Sequence, residues 1–217
     1  MPTLSLPTAD RRLAPYRTRA PRSWPTRPAH PFSRVAIAAA DVVADPLADC
    51  DPWLDAASDW DATLAYRRHL WAHGFGVAEA MDTAQRGMGL DWPTALELIR
   101  RSADAASDIR GAVMFAGAGT DHLAPGDARN IADVRAAYDM QCAAIERAGG
   151  RIILMASRAL ASVARGPDDY LDVYAHVLSQ VKQPVILHWL GAMFDPALAG
   201  YWGNDDLDKA TDVCLEV

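Results

Sequence analysis

Lysine is almost missing from this chain: of its 21 basic residues only Lys182 and Lys209 are lysines, and the rest are arginines. Any mechanism that needs a lysine nucleophile has two candidates. Cysteine is scarce as well. Cys50, Cys142 and Cys214 are odd in number and far apart, without the short pairing that a structural zinc site or a thioredoxin-like motif requires. That usage points to a reducing, cytoplasmic compartment. No apolar run approaches the ~20 residues that span a bilayer, and the N-terminus carries proline and arginine where a signal peptide would be apolar. Positive charge is in deficit: the net charge is −7, which argues against nucleic acid and anionic membrane as partners and favours a small-molecule substrate.

What is present is a globular composition, 51% apolar over 217 residues, enough to bury a sizeable core. Residues 1–33 stand apart, with seven of the 14 prolines, six arginines and Asp10 as the only acid. They read as an appendage, either a hairpin (Leu4 and Leu6, a polar turn over residues 8–11, then Leu13 and Tyr16) or a disordered arm. From residue 34 the pattern becomes regular. Short apolar or β-branched runs at residues 35–40, 75–80, 112–117, 151–156 and 185–189 read as buried strands. Helical stretches separate them: Leu64, Leu70 and Trp71 in one; Asp91 capping residues 92–99; Val134, Ala137, Tyr138, Gln141 and Ile145 in another. A fourth begins at Gly166-Pro167 and turns Leu171, Tyr174, Val177 and Leu178 inward.

The runs begin 40, 37, 39 and 34 residues apart, the pitch of parallel β/α units. A doubly wound sheet shares that alternation, but its Gly-x-Gly-x-x-Gly signature is missing: residues 117–122 start the motif and lack the third glycine. The expected fold is α/β, a partial TIM (β/α)8 barrel made of the first five units, with domains at 1–33 (arm or small hairpin) and 34–217 (incomplete barrel). Eight units need on the order of 300 residues. The chain is therefore expected to stop before closure, inside a helix at residues 205–217 that has no C-cap.

In such a barrel the site lies at the C-terminal ends of the strands, so position relative to a strand sorts the polar residues. His69, His73 and Lys182 precede strands and fall on the opposite face. At the productive face stand Glu79, Asp82, Arg86, Asp121, His122, Ser157, Arg158, His188 and Trp189. Asp82, His122 and His188 are the candidate catalytic groups; Glu79, Arg86, Asp121, Ser157 and Arg158 are candidate substrate-binding groups. Each has a plainer alternative. Glu79 reads equally as a satisfied interior residue, Asp121 as a loop cap, Arg158 as the partner of a nearby acid, and Trp189 as filler at the barrel mouth.

At residues 38–46, 79–92, 117–122 and 188–191 the chain resembles a bacterial branch of the dihydrodipicolinate synthase and N-acetylneuraminate lyase superfamily, class I aldolase-like TIM barrels. The resemblance implies carbon–carbon lyase or aldolase chemistry on a keto acid or sugar-derived carbonyl, through a Schiff base to a strand-six lysine, with no cofactor. Two segments depart from that pattern. Asp82-Thr83-Ala84-Gln85-Arg86 stands where the superfamily carries Gly-Thr-Thr-Gly-Glu, and Met155-Ala156-Ser157 replaces a tyrosine. Strand six and its lysine are expected beyond residue 217. Two further expectations are a divalent-metal isomerase or epimerase using Glu79, Asp82, His122 and His188, and a non-enzymatic partial barrel that is inactive or that completes itself by pairing with another chain, a homo-oligomer formed through open strand edges.

Overall fold

The computed structural model describes residues 2–23, 33–51, 55–124 and 126–217, which group into two compact units, residues 1–31 and 32–217. In the first, strands β1 (Thr3–Pro7) and β2 (Leu13–Arg17) pair antiparallel. The register sets Leu4 opposite Tyr16 and Leu6 opposite Ala14, so these four share one face. The turn closes through Thr8 N to Arg12 O at 2.8 Å, with Arg11 in the left-handed region.

The second unit is a five-stranded parallel sheet in the order β3 (Ile37–Ala39), β4 (Gly76–Glu79), β5 (Met114–Ala118), β6 (Arg151–Met155) and β7 (Ile186–His188). All four pairings are parallel and follow chain order, as a barrel requires and a doubly wound sheet does not. The expected partial barrel is the fold observed. Among the described residues β3 and β7 each pair on one side only.

Helices fill the connections, and their starts are chemically marked. Asp59 accepts from Ala62 N to begin α1 (Trp60–Ala72), and Asp91 from Thr94 N to begin α2 (Trp92–Ser107), whose Pro93 sits where a missing N–H costs nothing. Asn130 and Asp133 form a reciprocal capping box on α3 (Ile131–Arg147). Ser157 caps a short α4 (Arg158–Val163) that the apolar periodicity did not reveal. In α5 (Pro167–Leu178) the buried face is Tyr170, Val173, Tyr174 and Val177, one step round from the expected one, leaving Leu171 and Leu178 half-buried. In α6 (Leu207–Leu215) Ala210 is buried whereas Leu207 is exposed.

The two sheet faces bury different sets of residues. Val77, Ala116, Ile152 and Leu154 pack outward into the large core shared with the helices. Ala78, Phe115, Ile153 and Met155 pack inward with Met81, against Ile37 and Ile186. This alternation gives the sheet a concave inner wall, and parity along each strand decides which polar side chain reaches it. No helix among the described residues is long and apolar enough to cross a membrane.

Candidate active site

A cavity of about 240 Å³ opens on the inner wall at the C-terminal ends of the strands. Its apolar lining comes from Ile37, Ala39, Ala78, Met81, Ile153 and Ile186, and its polar lining is Asp82, Thr83 and His188. Asp82 Oδ2 lies 3.8 Å from His188 Nε2, and both side chains are about a third exposed. Those residues follow β4 and end β7, three strand spacings apart. In a flat sheet that separation is about 14 Å. The curl of the sheet is what brings them together.

Behind the wall, on the helix side, two buried arginines tie consecutive strand ends to each other. Arg67 of α1 and Glu79 of β4 are both fully buried. Arg67 Nε and Nη2 donate to the two Glu79 oxygens at 2.9 and 2.7 Å, and its other N–H groups reach the carbonyls of Thr63, Ala40 and Asp41. Glu79 also accepts from Ser102 Oγ at 2.6 Å and from Ala80 N at 3.0 Å. Arg86 repeats the design one strand later. Its Nε and Nη2 donate to Asp121 at 2.7 and 2.8 Å, Nη1 to the carbonyls of Ala80 and Gly117 at 3.2 and 2.9 Å, and Nη2 also to Gln141 Oε1 at 2.7 Å. Five N–H donors are all that a guanidinium owns, so both arginines are saturated.

Gln141 of α3 completes the second network. Its Oε1 also accepts from Gly119 N, and its Nε2 donates to Asp121 Oδ1 at 3.0 Å and to His122 Nδ1 at 2.9 Å. An amide N–H pointing at Nδ1 selects the His122 tautomer protonated at Nε2. Burial lowers the His122 pKa, Asp121 pulls it up, and Arg86 pushes it down again, leaving it below the usual imidazole value. Burial acts to raise the Asp121 pKa, but the hydrogen bonds and charge of Arg86 together with Gln141 outweigh it, and the carboxylate stays below its usual range.

The third junction uses hydroxyls. Thr120 after β5 and Ser157 after β6 meet at 2.6 Å, Ser157 N donates to Tyr201 Oη, and Tyr174 and Tyr201 share a hydrogen bond at 3.0 Å. Tyr138 Oη donates to the Met155 carbonyl at 2.6 Å. Burial raises the pKa of all three phenols, which therefore serve as neutral donors and acceptors.

Of the candidates read from the sequence, only Asp82 and His188 line the cavity. Glu79 lies on the outward parity of β4 and is satisfied by Arg67 and Ser102. Arg86 and Asp121 neutralise one another, so Arg86 has no donor free for a substrate carboxylate. His122 is held by Gln141, and Ser157 is buried as the α4 cap. Arg158 is exposed and paired with Asp195. The metal set Glu79, Asp82, His122 and His188 does not assemble: among the described residues no three His, Cys, Asp or Glu side chains converge. Lys182 is exposed beside Glu146, and Lys209 is exposed on α6. Sequence reasoning missed Arg67, although its spacing from Thr63, Leu70 and Trp71 puts an arginine on the inward stripe of α1.

A curled parallel half-barrel with an acid–imidazole pair over its inner wall defines the class: a β/α-barrel protein whose cavity lies where such barrels carry their sites. The chain belongs to the DUF993 family, described as proteins of unknown function, which it matches over residues 4–217. No curated protein matches it. Among solved structures it is similar to 4-hydroxy-tetrahydrodipicolinate synthase from Methylacidiphilum fumariolicum SolV, with TM-score 0.56 and 13% identity, covering 85% of this chain and 51% of that one. The dihydrodipicolinate synthase of Aquifex aeolicus gives TM-score 0.54 at 12% identity, covering 84% and 51%. That of Bacillus anthracis gives 0.53 at 13%, covering 70% and 44%. At such identities the likeness establishes the barrel fold alone, and the chain spans about half the length of these synthases.

Proposed function

We propose that these residues supply one half of a lyase- or aldolase-type barrel acting on a keto acid or a sugar-derived carbonyl, with Asp82 and His188 as its proton-transfer pair. The observation that carries this reading is the 3.8 Å approach of Asp82 to His188 across the inner wall, in a cavity otherwise lined mainly by alkyl and thioether groups. A carboxylate beside an imidazole can take a proton from the carbon next to a carbonyl and return it. Thr83 adds a hydroxyl suited to a carbonyl or alcohol oxygen.

Schiff-base chemistry requires a desolvated lysine, and neither Lys182 nor Lys209 lines the cavity. In this reading the nucleophile comes from outside residues 1–217, as the half-length match to the synthases would allow. Exchange of the protons next to the carbonyl of candidate keto acids into deuterated water, followed by NMR on the polypeptide that carries the whole barrel, tests the assignment. Asp82→Asn and His188→Gln should each slow exchange by about 10²–10⁴-fold. Exchange at the wild-type rate in both variants would remove the pair from the mechanism.

A further inference from the structure

Ala80 links the strand that ends at Glu79 to the residues that enter the cavity, and its backbone is left-handed, with φ 53°. A residue with a Cβ pays for that conformation, by about 1–2 kcal/mol relative to the ordinary regions. Two features hold it there. Its N–H donates to Glu79 Oε1, itself pinned by Arg67, and its carbonyl accepts from Arg86 Nη1. Ala80 is fully buried, so its peptide groups have no water to turn to. The left-handed step redirects the chain off the line of β4, and Met81 and Asp82 both emerge on the cavity side. Strict alternation from inward Ala78 would leave Asp82 inward but send Met81 to the helices, so the step is what sets both neighbours on the cavity side and fixes the backbone path on which Asp82 sits.

We propose that Arg86 is a positioning residue: by holding the Ala80 carbonyl it fixes the left-handed step that presents Asp82 to His188. The inference rests on the Asp82–His188 pair of the proposed function, but its test needs no substrate. Failure of the lyase reading and failure of the positioning role are therefore separable. Arg86 touches no cavity-lining polar group; its whole effect on the pair passes through the backbone of residues 80–82. The saturated guanidinium explains why the position is an arginine: a lysine ammonium, with three donors, cannot satisfy Asp121, Gln141, Ala80 and Gly117 together.

The test reads the imidazole ¹⁵N chemical shifts of His188 at fixed pH. Asp82→Asn in the folded chain defines the signal of a lost carboxylate. Arg86→Lys should move the His188 shifts at least half of the way to that value, and Ala80→Gly added to Arg86→Lys should bring them back toward wild type, because glycine adopts the left-handed step without the clamp. Should Arg86→Lys fail to fold, Ala80→Val, which leaves both ion pairs in place but penalises positive φ more strongly, should move the shifts in the same direction. Wild-type His188 shifts in a folded Arg86→Lys or Ala80→Val chain would overturn the proposal.

Discussion

Arg86 and Asp121 form a two-pronged ion pair, Nε to Oδ2 at 2.7 Å and Nη2 to Oδ1 at 2.8 Å, with the guanidinium lying 4.9 Å from the Trp92 ring. The arginine side chain is 1% exposed and the aspartate 24%, so most of the uncompensated charge left by a deletion would stay inside. Arg86→Met should destabilise the fold by about 3–5 kcal/mol, because the Asp121 carboxylate and two strand-end carbonyls lose their donor. Asp121→Asn should cost less, about 1–3 kcal/mol, because its carboxamide oxygen still accepts one Arg86 N–H and the other guanidinium donors keep their carbonyl partners. Urea unfolding followed by circular dichroism measures both.

The Arg67–Glu79 pair gives the cleaner thermodynamic case because both side chains are 0% exposed. Arg67→Met and Glu79→Leu should each cost about 3–5 kcal/mol, while the double variant should cost well below their sum, since apolar replacement of both partners removes the stranded charge. The residual cost would come from the Ala40 and Asp41 carbonyls and the Ser102 hydroxyl, which also lose a partner. A double-mutant cycle on unfolding free energy reads the coupling directly.

The architecture was legible in the sequence because barrel units repeat at a near-constant pitch and buried parallel strands read as short apolar runs. The capping Asp91 marked its helix start for the same local reason, whereas Asp59, one of several nearby acids, emerged as a cap only in the structure. The site was legible only in part. Every acid, histidine and arginine after a strand points to the right end of the barrel, but inner wall or helix side depends on parity along the strand, which separates Glu79 from Asp82 three residues on, while the left-handed Ala80 brings Met81 inward as well. Glu79 is thus placed outward and Asp82 inward, a distinction that no residue type carries. Gln141 illustrates the other gap. It reads as one member of a helix face, and its four hydrogen bonds appear only when α3 is packed against the ends of β4 and β5.

Acid should destabilise the protein in two stages with the same sign. His122 has a folded-state pKa below its ordinary 6.5, so the unfolded chain binds its proton first, and stability falls as pH drops below that value. Asp121, held below its ordinary 3.8, contributes stability that is complete above that pH and is lost as pH falls through the folded value. Thermal midpoints measured from pH 8 to 5 should decline, and His122→Gln should flatten that slope without altering the loss at lower pH that Asp121→Asn removes.

In the proposed function, the Asp82–His188 pair serves a carbonyl substrate held as a Schiff base by a lysine other than Lys182 and Lys209. The most direct measurement is intact and peptide mass analysis of the polypeptide that carries the whole barrel, after borohydride reduction in the presence of candidate keto acids, pyruvate among them. The account predicts the mass of one reduced adduct, mapped to a lysine other than Lys182 and Lys209. No adduct with any keto acid tested, or an adduct confined to Lys182 or Lys209, would contradict it.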